Sequence, residues 1–201
     1  MDTLIKEMEQ GQISSVVAVH LESFQGFFLS FLGPAFLREL YASLLEDSYG
    51  VCLVAVENDG VVGFVAGTTR SSGVYSRLLR QRLIRFCLAV LPAALKRPSI
   101  VPRLLRGISD PPGELRSDLD RGTLMSVAVL PAEQGKGIGQ KLVHAFLKRA
   151  SAQGVSQVDL TTDRDDNEGV NLFYRQLGFR LERSFTTPEG REMNQYLIDL
   201  S

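Results

Sequence analysis

The chain has 201 residues, a formal net charge of −1 at pH 7 and a hydrophobic residue content of 44%. This length suits one domain, or one domain with an insertion, that buries a sizeable core. The near-zero charge argues against nucleic-acid binding, the two histidines form no metal-binding cluster, and no uncharged apolar run is long enough to span a membrane.

The N-terminus has no basic region followed by an apolar run, so we predict no secretory signal and a cytoplasmic protein. Residues 4–9 fit a short strand, and the apolar spacing over residues 13–24 predicts a helix. His20 and Glu22 flank the apolar face of this helix. We interpret them as half-buried structural residues, with a place beside an acceptor pocket as the alternative.

A strongly apolar run at residues 27–32 is interpreted as a loop that belongs to the core or walls a substrate pocket. Gly33 and Pro34 then open a second helix. Cys52 and Cys87 lack the spacing of a metal site or a disulfide framework. We therefore interpret both cysteines as small buried hydrophobic residues.

Residues 51–57 and 61–69 predict two strands, and Asn-Asp-Gly at positions 58–60 is a hairpin turn signal between them. Gly63 and Gly67 lie inside the second strand. Glycine at such positions indicates a bulge or the close approach of another chain segment.

Residues 70–109 contain nine Arg or Lys residues and no Asp or Glu. Pro92 and Pro98 predict breaks within this segment. One interpretation is a basic helical insertion, residues 70–115, that packs on the core and exposes a solvated charged face. The other is a lid over an anionic substrate, or a patch over residues 70–109 that makes peripheral contact with an anionic membrane.

The most informative stretch follows this segment. A partly β-branched apolar run at residues 121–130 predicts a buried strand, and helical apolar spacing begins at Ile138. The first turn of a helix leaves N–H groups unpaired, and nearby glycines let a phosphate approach them. We therefore predict a pyrophosphate site over residues 134–140. Its three glycines occupy alternate positions: Gly135, Gly137 and Gly139.

The remaining pattern predicts a strand at residues 155–162, a helix at 167–176, and strands at 179–184 and 191–199. A turn at residues 188–190 separates the last two strands.

The glycine loop lacks the glycine spacing of a dinucleotide fingerprint and the Ser or Thr of an ATP-binding loop. Gln134-x-x-Gly137-x-Gly139 instead resembles the acetyl-coenzyme A signature of the GNAT superfamily of N-acetyltransferases. Asn167-x-x-Val170-x-x-Phe173-Tyr174, which runs on into Gly178-Phe179, is similar to the second signature of that family. Val170 replaces the usual alanine. The match is specific over residues 122–186, and the N-terminal half matches only in element order.

The resemblance implies an α/β fold of the α+β kind, with a mixed, twisted sheet of about seven strands flanked by helices. We expect a single domain over residues 1–201, with the basic helical insertion inside it. In this family the fourth and fifth strands separate to admit the cosubstrate acetyl-CoA.

The resemblance also implies individual roles. Tyr174 would be the catalytic residue that protonates the leaving thiolate, and a main-chain N–H near Val127 would polarise the thioester carbonyl. The residues implied to bind acetyl-CoA are Val127, Ala128, Val129, Gln134, Gly135, Lys136, Gly137, Ile138, Gly139, Gln140, Asn167 and Phe173.

The resemblance does not identify the base that deprotonates the amine. Many relatives carry Glu or Asp on the central strand, where this chain has Met125 and Ser126. The candidates that remain are His20, Glu22, and a water chain that reaches Asp120 or Asp163.

The implied function is acetyl transfer to the primary amine of a small-molecule acceptor, with an amino sugar or nucleotide-linked amino sugar as the finer expectation. The basic segment motivates an anionic acceptor. One alternative is a protein N-terminal or lysine acetyltransferase. Another is a non-catalytic acyl-CoA-binding or membrane-associated module. A homodimer is a possible assembly.

Overall fold

The structure is a computed structural model that describes residues 3–96 and 121–200. Its helices and strands lie within a few residues of most of the predicted elements. In chain order they are β1 (Leu4–Glu7), α1 (Ile13–Ser23), α2 (Phe28–Leu32), α3 (Pro34–Glu46), β2 (Gly50–Glu57), β3 (Gly60–Thr68), α4 (Val74–Lys96), β4 (Gly122–Val129), α5 (Ile138–Ala152), β5 (Gln157–Asp163), α6 (Glu168–Gln176), β6 (Arg180–Thr186) and β7 (Glu192–Asp199).

The strands form one sheet in the order β1-β2-β3-β4-β5-β7-β6. Every neighbouring pair is antiparallel except β4 and β5, which are parallel. The predicted mixed sheet of seven strands with flanking helices is therefore confirmed.

The predicted hairpin between β2 and β3 is confirmed. Asn58 and Asp59 have φ values of 47° and 62°, as both central residues of a tight hairpin turn require. The pairing of β3 with β4 shifts in register at Gly67. A Cβ on Gly67 would lie 2.3 Å from the carbonyl oxygen of Thr123, so this glycine permits the close approach that the sequence indicated.

Helices cover both faces of the sheet because successive strand side chains point to opposite sides. On β2, Val51 and Leu53 belong to the core cluster that contains α5, whereas Cys52 and Val54 pack with α1, α3 and the first part of α4. The sheet is therefore the middle layer of the molecule.

The apolar run at residues 27–32 is not a loop. Phe28–Leu32 form the short helix α2, which ends at Gly33 with φ of 89° before Pro34 begins α3. One turn of helix is too short to show a periodicity of its own, and that is why the sequence pattern missed it.

The predicted break at Pro92 is wrong, because α4 continues through it to Lys96. The helix is interrupted instead at Arg82, whose φ of −139° and ψ of 29° are non-helical. The guanidinium of Arg82 donates to Glu39 at 2.8 Å and to Glu46 at 3.0 Å, both on α3. Pro98 and the rest of the predicted insertion lie outside the described residues.

The two cysteines differ in their surroundings. Cys52 is buried as predicted, but Cys87 is exposed on α4, so its predicted burial is wrong. No helix within residues 3–96 and 121–200 is both long enough and apolar enough to cross a membrane.

Candidate active site

Strands β4 and β5 are in contact only where they begin. Their parallel pairing is limited to Gly122 with Val158 and Thr123 with Asp159. Beyond these pairs the strands separate, and a cavity of about 870 Å³ is lined by residues 124–129 of β4 and 160–163 of β5. The sheet is thus open at its centre.

The edge of β4 offers main-chain donors to this cavity. The N–H of Leu130 donates to the carbonyl of Val62, at 2.9 Å, on the β3 side. Because successive amides of a strand point in opposite directions, the N–H groups of Val127 and Val129 face the gap. The carbonyl of Val129 is already bonded, since it accepts from Gln134 Nε2 and Ser23 Oγ at 3.2 Å each.

The glycine loop brings the start of α5 to one end of the cavity. Gly135 and Gly137 have φ values of 79° and 77°, which L-residues adopt at a cost. Gly137 precedes the first residue of α5 and has no side chain to cap it. The first N–H groups of the helix, at residues 138–140, are therefore left for a ligand, and the helix dipole favours an anion there.

The second motif closes the same end of the cavity. The ring of Phe173 lies against Gly139, where an added Cβ would be 3.5 Å from the ring. Asn167 Nδ2 donates to Thr162 Oγ1 at 2.9 Å and to the carbonyl of Asp163 at 3.0 Å. Asn167 lines the cavity, and these bonds attach the start of α6 to β5.

Asn171 is a structural residue that the sequence pattern did not single out. It is buried, and its Nδ2 donates to the carbonyl of Asn167 at 2.8 Å. Its Oδ1 accepts from Tyr196 and from Asn194, at 2.9 Å each. A polar helix residue carries no local signal that it will be buried against a distant strand.

Tyr174 lines the cavity and is 6% exposed. Its ring packs on Phe173 and Phe179, with centroid distances of 5.2 and 5.6 Å. Burial raises the pKa of the phenol above its usual value, so the hydroxyl stays protonated at neutral pH. The side chain is therefore a hydrogen-bond donor beside the gap.

Of the residues that the sequence implied to bind acetyl-CoA, all except Lys136 line the cavity. The ammonium of Lys136 pairs with Glu133 three residues earlier, and its side chain is 56% exposed. The loop carries it away from the gap. The donors at this part of the cavity wall are therefore main-chain N–H groups and not this side chain.

A further part of the cavity wall is aromatic and aliphatic. It is formed by the end of α1, by α2 and by the start of α4, and its members are His20, Ser23, Phe24, Phe27, Phe28, Leu29 and Tyr75. We call this wall the acceptor end. The sequence had suggested a pocket role for the apolar run, whereas Ser23 and Tyr75 carried no signal.

His20 is the most unusual member of the acceptor end. It is 2% exposed, and its Nδ1 lies 2.6 Å from the hydroxyl of Tyr41. Its Nε2 is buried with no hydrogen-bond partner among the described residues. Burial lowers the pKa of His20 to about 4, so the imidazole is neutral at physiological pH.

The other candidate bases are placed less favourably. Glu22 is exposed and does not line the cavity. Asp163 lines it, but Arg191 donates to both of its oxygens at 2.7 Å. Asp120 lies outside the described residues. His20 is therefore the one predicted base that the described chain places in the cavity wall with an unpaired ring nitrogen.

Comparison with known proteins agrees with this geometry. The sequence profile of the "Acetyltransferase (GNAT) family" matches residues 17–179. Mycothiol acetyltransferases of Gordonia bronchialis and Streptosporangium roseum are 34% and 41% identical over 76 and 58 residues. These matches cover 36% and 29% of this chain but only 24% and 17% of the two relatives.

Solved structures share the fold at low sequence identity. A GNAT-family acetyltransferase from Desulfovibrio desulfuricans has a TM-score of 0.66 and 14% identity over 100% of both chains. The PaiA N-acetyltransferase of Thermoplasma acidophilum, solved in complex with coenzyme A, has a TM-score of 0.58 and 14% identity, and the match covers 97% of this chain and 98% of that one. The profile spans most of the chain and the architecture agrees with it. The chain therefore belongs to the GNAT family of acetyl-CoA-dependent N-acetyltransferases.

Proposed function

We propose that this chain transfers the acetyl group of acetyl-CoA to the primary amine of a small-molecule acceptor. The observation that carries the proposal is one cavity between β4 and β5, which is lined both by an uncapped helix N-terminus and by the acceptor end. The two mycothiol acetyltransferases that share sequence with this chain are named for a small molecule, which supports the class of acceptor.

In this proposal the main chain binds acetyl-CoA and polarises its thioester carbonyl. Acetyl-CoA supplies a thioester whose carbonyl carbon is open to attack by an amine. The N–H groups at the start of α5 hold the pyrophosphate, and those of Val127 and Val129 face the extended arm along β4. The Val127 N–H is the donor nearest the reacting carbonyl, where it stabilises the negative charge that develops on oxygen.

Tyr174 supplies the proton that the departing sulfur needs, and the proton that the amine nitrogen loses as the amide forms restores the phenol. A thiolate of pKa about 8.5 is a strong acceptor for a hydrogen bond from a protonated phenol. Because burial raises the pKa of Tyr174, the hydroxyl carries its proton over the whole physiological pH range. Its place in the cavity wall lets it meet the sulfur end of the cosubstrate.

His20 binds the amine. This role requires that Nδ1–H donates to Tyr41, which leaves Nε2 a lone pair for the amine nitrogen, and that the side chains covering Nε2 move aside when the acceptor binds. A pKa near 4 makes this imidazole a weak base, so it suits an amine that is already neutral. At pH 7 less than about 0.1% of a typical alkylamine is neutral, whereas the lower pKa of an amino sugar reduces this barrier.

The charges around the cavity bear on the acceptor. Two carboxylates line it, and each is paired, Asp163 with Arg191 and Glu133 with Lys136. A polyamine would therefore find no unpaired carboxylate there in the described chain. Arg77 and Arg82 of α4 bind acidic residues outside the cavity and do not line it, so these two charges do not support an anionic acceptor.

A single hydroxyl tests the proposal. We expect Tyr174→Phe to lower kcat by about 10²- to 10⁴-fold, the usual contribution of a positioned proton donor, and to leave the KM for acetyl-CoA little changed. The measurement is thiol release from acetyl-CoA with a panel of amino sugars, apolar amines and polyamines.

The matched control is Tyr49→Phe. Tyr49 does not line the cavity, and its hydroxyl accepts a hydrogen bond from Arg70 at 3.1 Å. The control should retain wild-type rates. Equal kcat values for Tyr174→Phe and wild type would remove the proton-donor role, and the absence of turnover with every amine in the panel would contradict the proposed function itself.

A further inference from the structure

The outward face of α4 is apolar. Beyond the kink at Arg82, five large aliphatic residues are 51% to 76% exposed, and they are Leu83, Ile84, Leu88, Leu91 and Leu95. The inward face is apolar as well, since Phe86 and Ala93 are 4% and 7% exposed against the core. A surface helix normally turns polar residues to water, so this segment is built to cover a second apolar surface.

These residues form a continuous stripe. Ile84, Leu88, Leu91 and Leu95 follow the spacing i, i+4, i+7 and i+11, which places them on one side of the helix over three turns. We call these four residues the α4 stripe. Singly exposed leucines are common on proteins, but a contiguous apolar stripe marks an interaction surface.

The charges beside the stripe have one sign. Residues 70–96 contain six Arg or Lys residues and no Asp or Glu. Two of the six serve the fold, because Arg77 pairs with Asp47 and Arg82 with Glu39 and Glu46. Arg80 and Arg85 are exposed next to the stripe.

We propose that the α4 stripe docks on the surface of an anionic phospholipid bilayer, with Arg80 and Arg85 against the lipid phosphates. An interfacial amphipathic helix buries its apolar face at the boundary between headgroups and acyl chains. Basic residues beside that face bind anionic headgroups through electrostatic attraction. Docking of this kind does not depend on the acetyl transfer proposed above.

Charge complementarity selects lipid over the other surfaces that could cover the stripe. A second copy of the chain would bring the same positive helix against its like and so would place arginines near arginines. The part of the chain that follows α4 adds Arg97, Arg103 and Arg106 and has no acidic residue before Asp110. An anionic lipid surface offers both the apolar layer and the opposite charge.

The position of the stripe relative to the cavity gives docking a consequence. Tyr75, at the start of α4, belongs to the acceptor end, and so does Phe27, which is 45% exposed beside α2. Helix α2 packs against the second half of α4 through Leu32 and Ala93. Ala93 lies on the side of α4 opposite the α4 stripe, so docking leaves α2 on the side of the helix away from the bilayer.

Vesicle flotation with the full-length protein tests the inference. We expect the protein to bind vesicles of equal parts phosphatidylcholine and phosphatidylglycerol. Its binding to vesicles of phosphatidylcholine alone should be weaker by about tenfold or more. The double variant Ile84→Ser, Leu88→Ser should reduce binding to the anionic vesicles at least about tenfold. It removes two aliphatic side chains that the docked protein would bury in the bilayer surface. Its control is Leu172→Ser, Leu181→Ser, which changes two exposed leucines on α6 and β6 and should bind like wild type.

A charge pair gives a second test. Arg80→Glu, Arg85→Glu should lower anionic-vesicle binding by about tenfold or more, whereas Lys148→Glu, Arg175→Glu makes the same change in net charge on α5 and α6 and should have little effect. Equal losses in the two pairs would mean that binding follows net charge only, and the inference would be wrong.

Cys87 provides a probe at the stripe. It is the exposed cysteine of the two in the chain, and burial raises the pKa of Cys52 to about 12, so a thiol-reactive dye will label Cys87 selectively. An environment-sensitive dye there should shift to shorter wavelength with anionic vesicles.

The remaining outcomes also test the inference. No flotation of wild type, or unchanged flotation of Ile84→Ser, Leu88→Ser, would overturn the inference, and so would sedimentation showing a dimer that these serines dissociate. Thermal unfolding checks that the variants fold. Thiol release with a soluble amine should be unchanged in the stripe variants, so a protein that floats without turnover would fail the proposed function and not the docking.

Discussion

The imidazole of His20 shows how strongly one site in the fold changes the chemistry of a side chain. It lies among the rings of Phe24, Tyr41 and Phe64, with centroid distances of 4.7, 5.8 and 6.3 Å. Removal from water penalises the charged form, which lowers its pKa to about 4. A histidine that is partly charged in water near neutral pH is thus neutral here.

This shift predicts a pH-dependent stability. The unfolded chain takes up a proton on His20 near pH 6.5 and the folded chain only near pH 4, so stability is fully present above about pH 6.5 and falls as the pH approaches 4. We expect His20→Gln to reduce the loss of unfolding free energy at low pH by up to about 3 kcal/mol, because a pKa difference of one unit corresponds to about 1.36 kcal/mol. Thermal unfolding between about pH 7 and pH 4.5 measures the slope.

The control for this prediction is the second histidine of the chain. His144 is exposed on α5, so His144→Gln should follow the wild-type slope. Acidic groups that titrate in the same range contribute equally to all three proteins, and the difference between the variants isolates His20. A full slope in His20→Gln would show that its imidazole is not held neutral.

At the scale of elements, helix α5 offers a comparison between its two ends. Gly135 before the helix and Gly154 after it have φ values of 79° and 83°, and a Cβ on either would meet nothing within 4 Å. Only Gly135 lines the cavity. The two glycines therefore share a backbone requirement but not a ligand.

We expect Gly135→Ala and Gly154→Ala each to lower the free energy of unfolding by about 1–2 kcal/mol, because alanine is strained at positive φ. Only Gly135→Ala should weaken coenzyme A binding, by about tenfold, because it disturbs the loop that presents the N–H groups of α5. Chemical unfolding and titration calorimetry measure the two effects. Similar losses of coenzyme A affinity in both variants would contradict an anion site at the start of α5.

The elements that could be predicted from sequence are those with local signals. The strand, glycine loop and helix over residues 122–152 follow from apolar spacing and from glycines at positive φ. The interruption of α4 at Arg82 depends on carboxylates of α3 that lie 36 and 43 positions away along the chain. Pro92, which carries the stronger local signal, does not end the helix.

The candidate site divides in the same way. The part around the start of α5 follows from two short sequence motifs, and the structure brings nearly all of their implied residues to one cavity. The acceptor end collects single residues from separate elements, such as Ser23 from α1 and Tyr75 from α4. No local sequence pattern predicts that these residues come together, because only tertiary packing brings them into contact.

At the scale of the whole molecule, the sheet consists of two parts joined by a narrow contact. Strands β1 to β4 form one part and β5 to β7 the other, and between them only Gly122 with Val158 and Thr123 with Asp159 are paired. The candidate cosubstrate site lies between the two parts. A ligand that bonds to β4 and contacts β5 should therefore couple them.

We expect coenzyme A at about 100 times its Kd to stabilise the folded protein by about 2.7 kcal/mol, or about 5–10 °C in Tm for a chain of this size. Hydrogen exchange should slow at residues 124–129 and 134–140 and stay unchanged in β6, which faces away from the gap. Pantetheine at the same concentration is the control, because it lacks the pyrophosphate and should give a much smaller shift. Protection confined to β6 and β7 would show that the ligand does not bridge the two parts of the sheet, and an equal Tm shift with pantetheine would show that the pyrophosphate contributes nothing to binding.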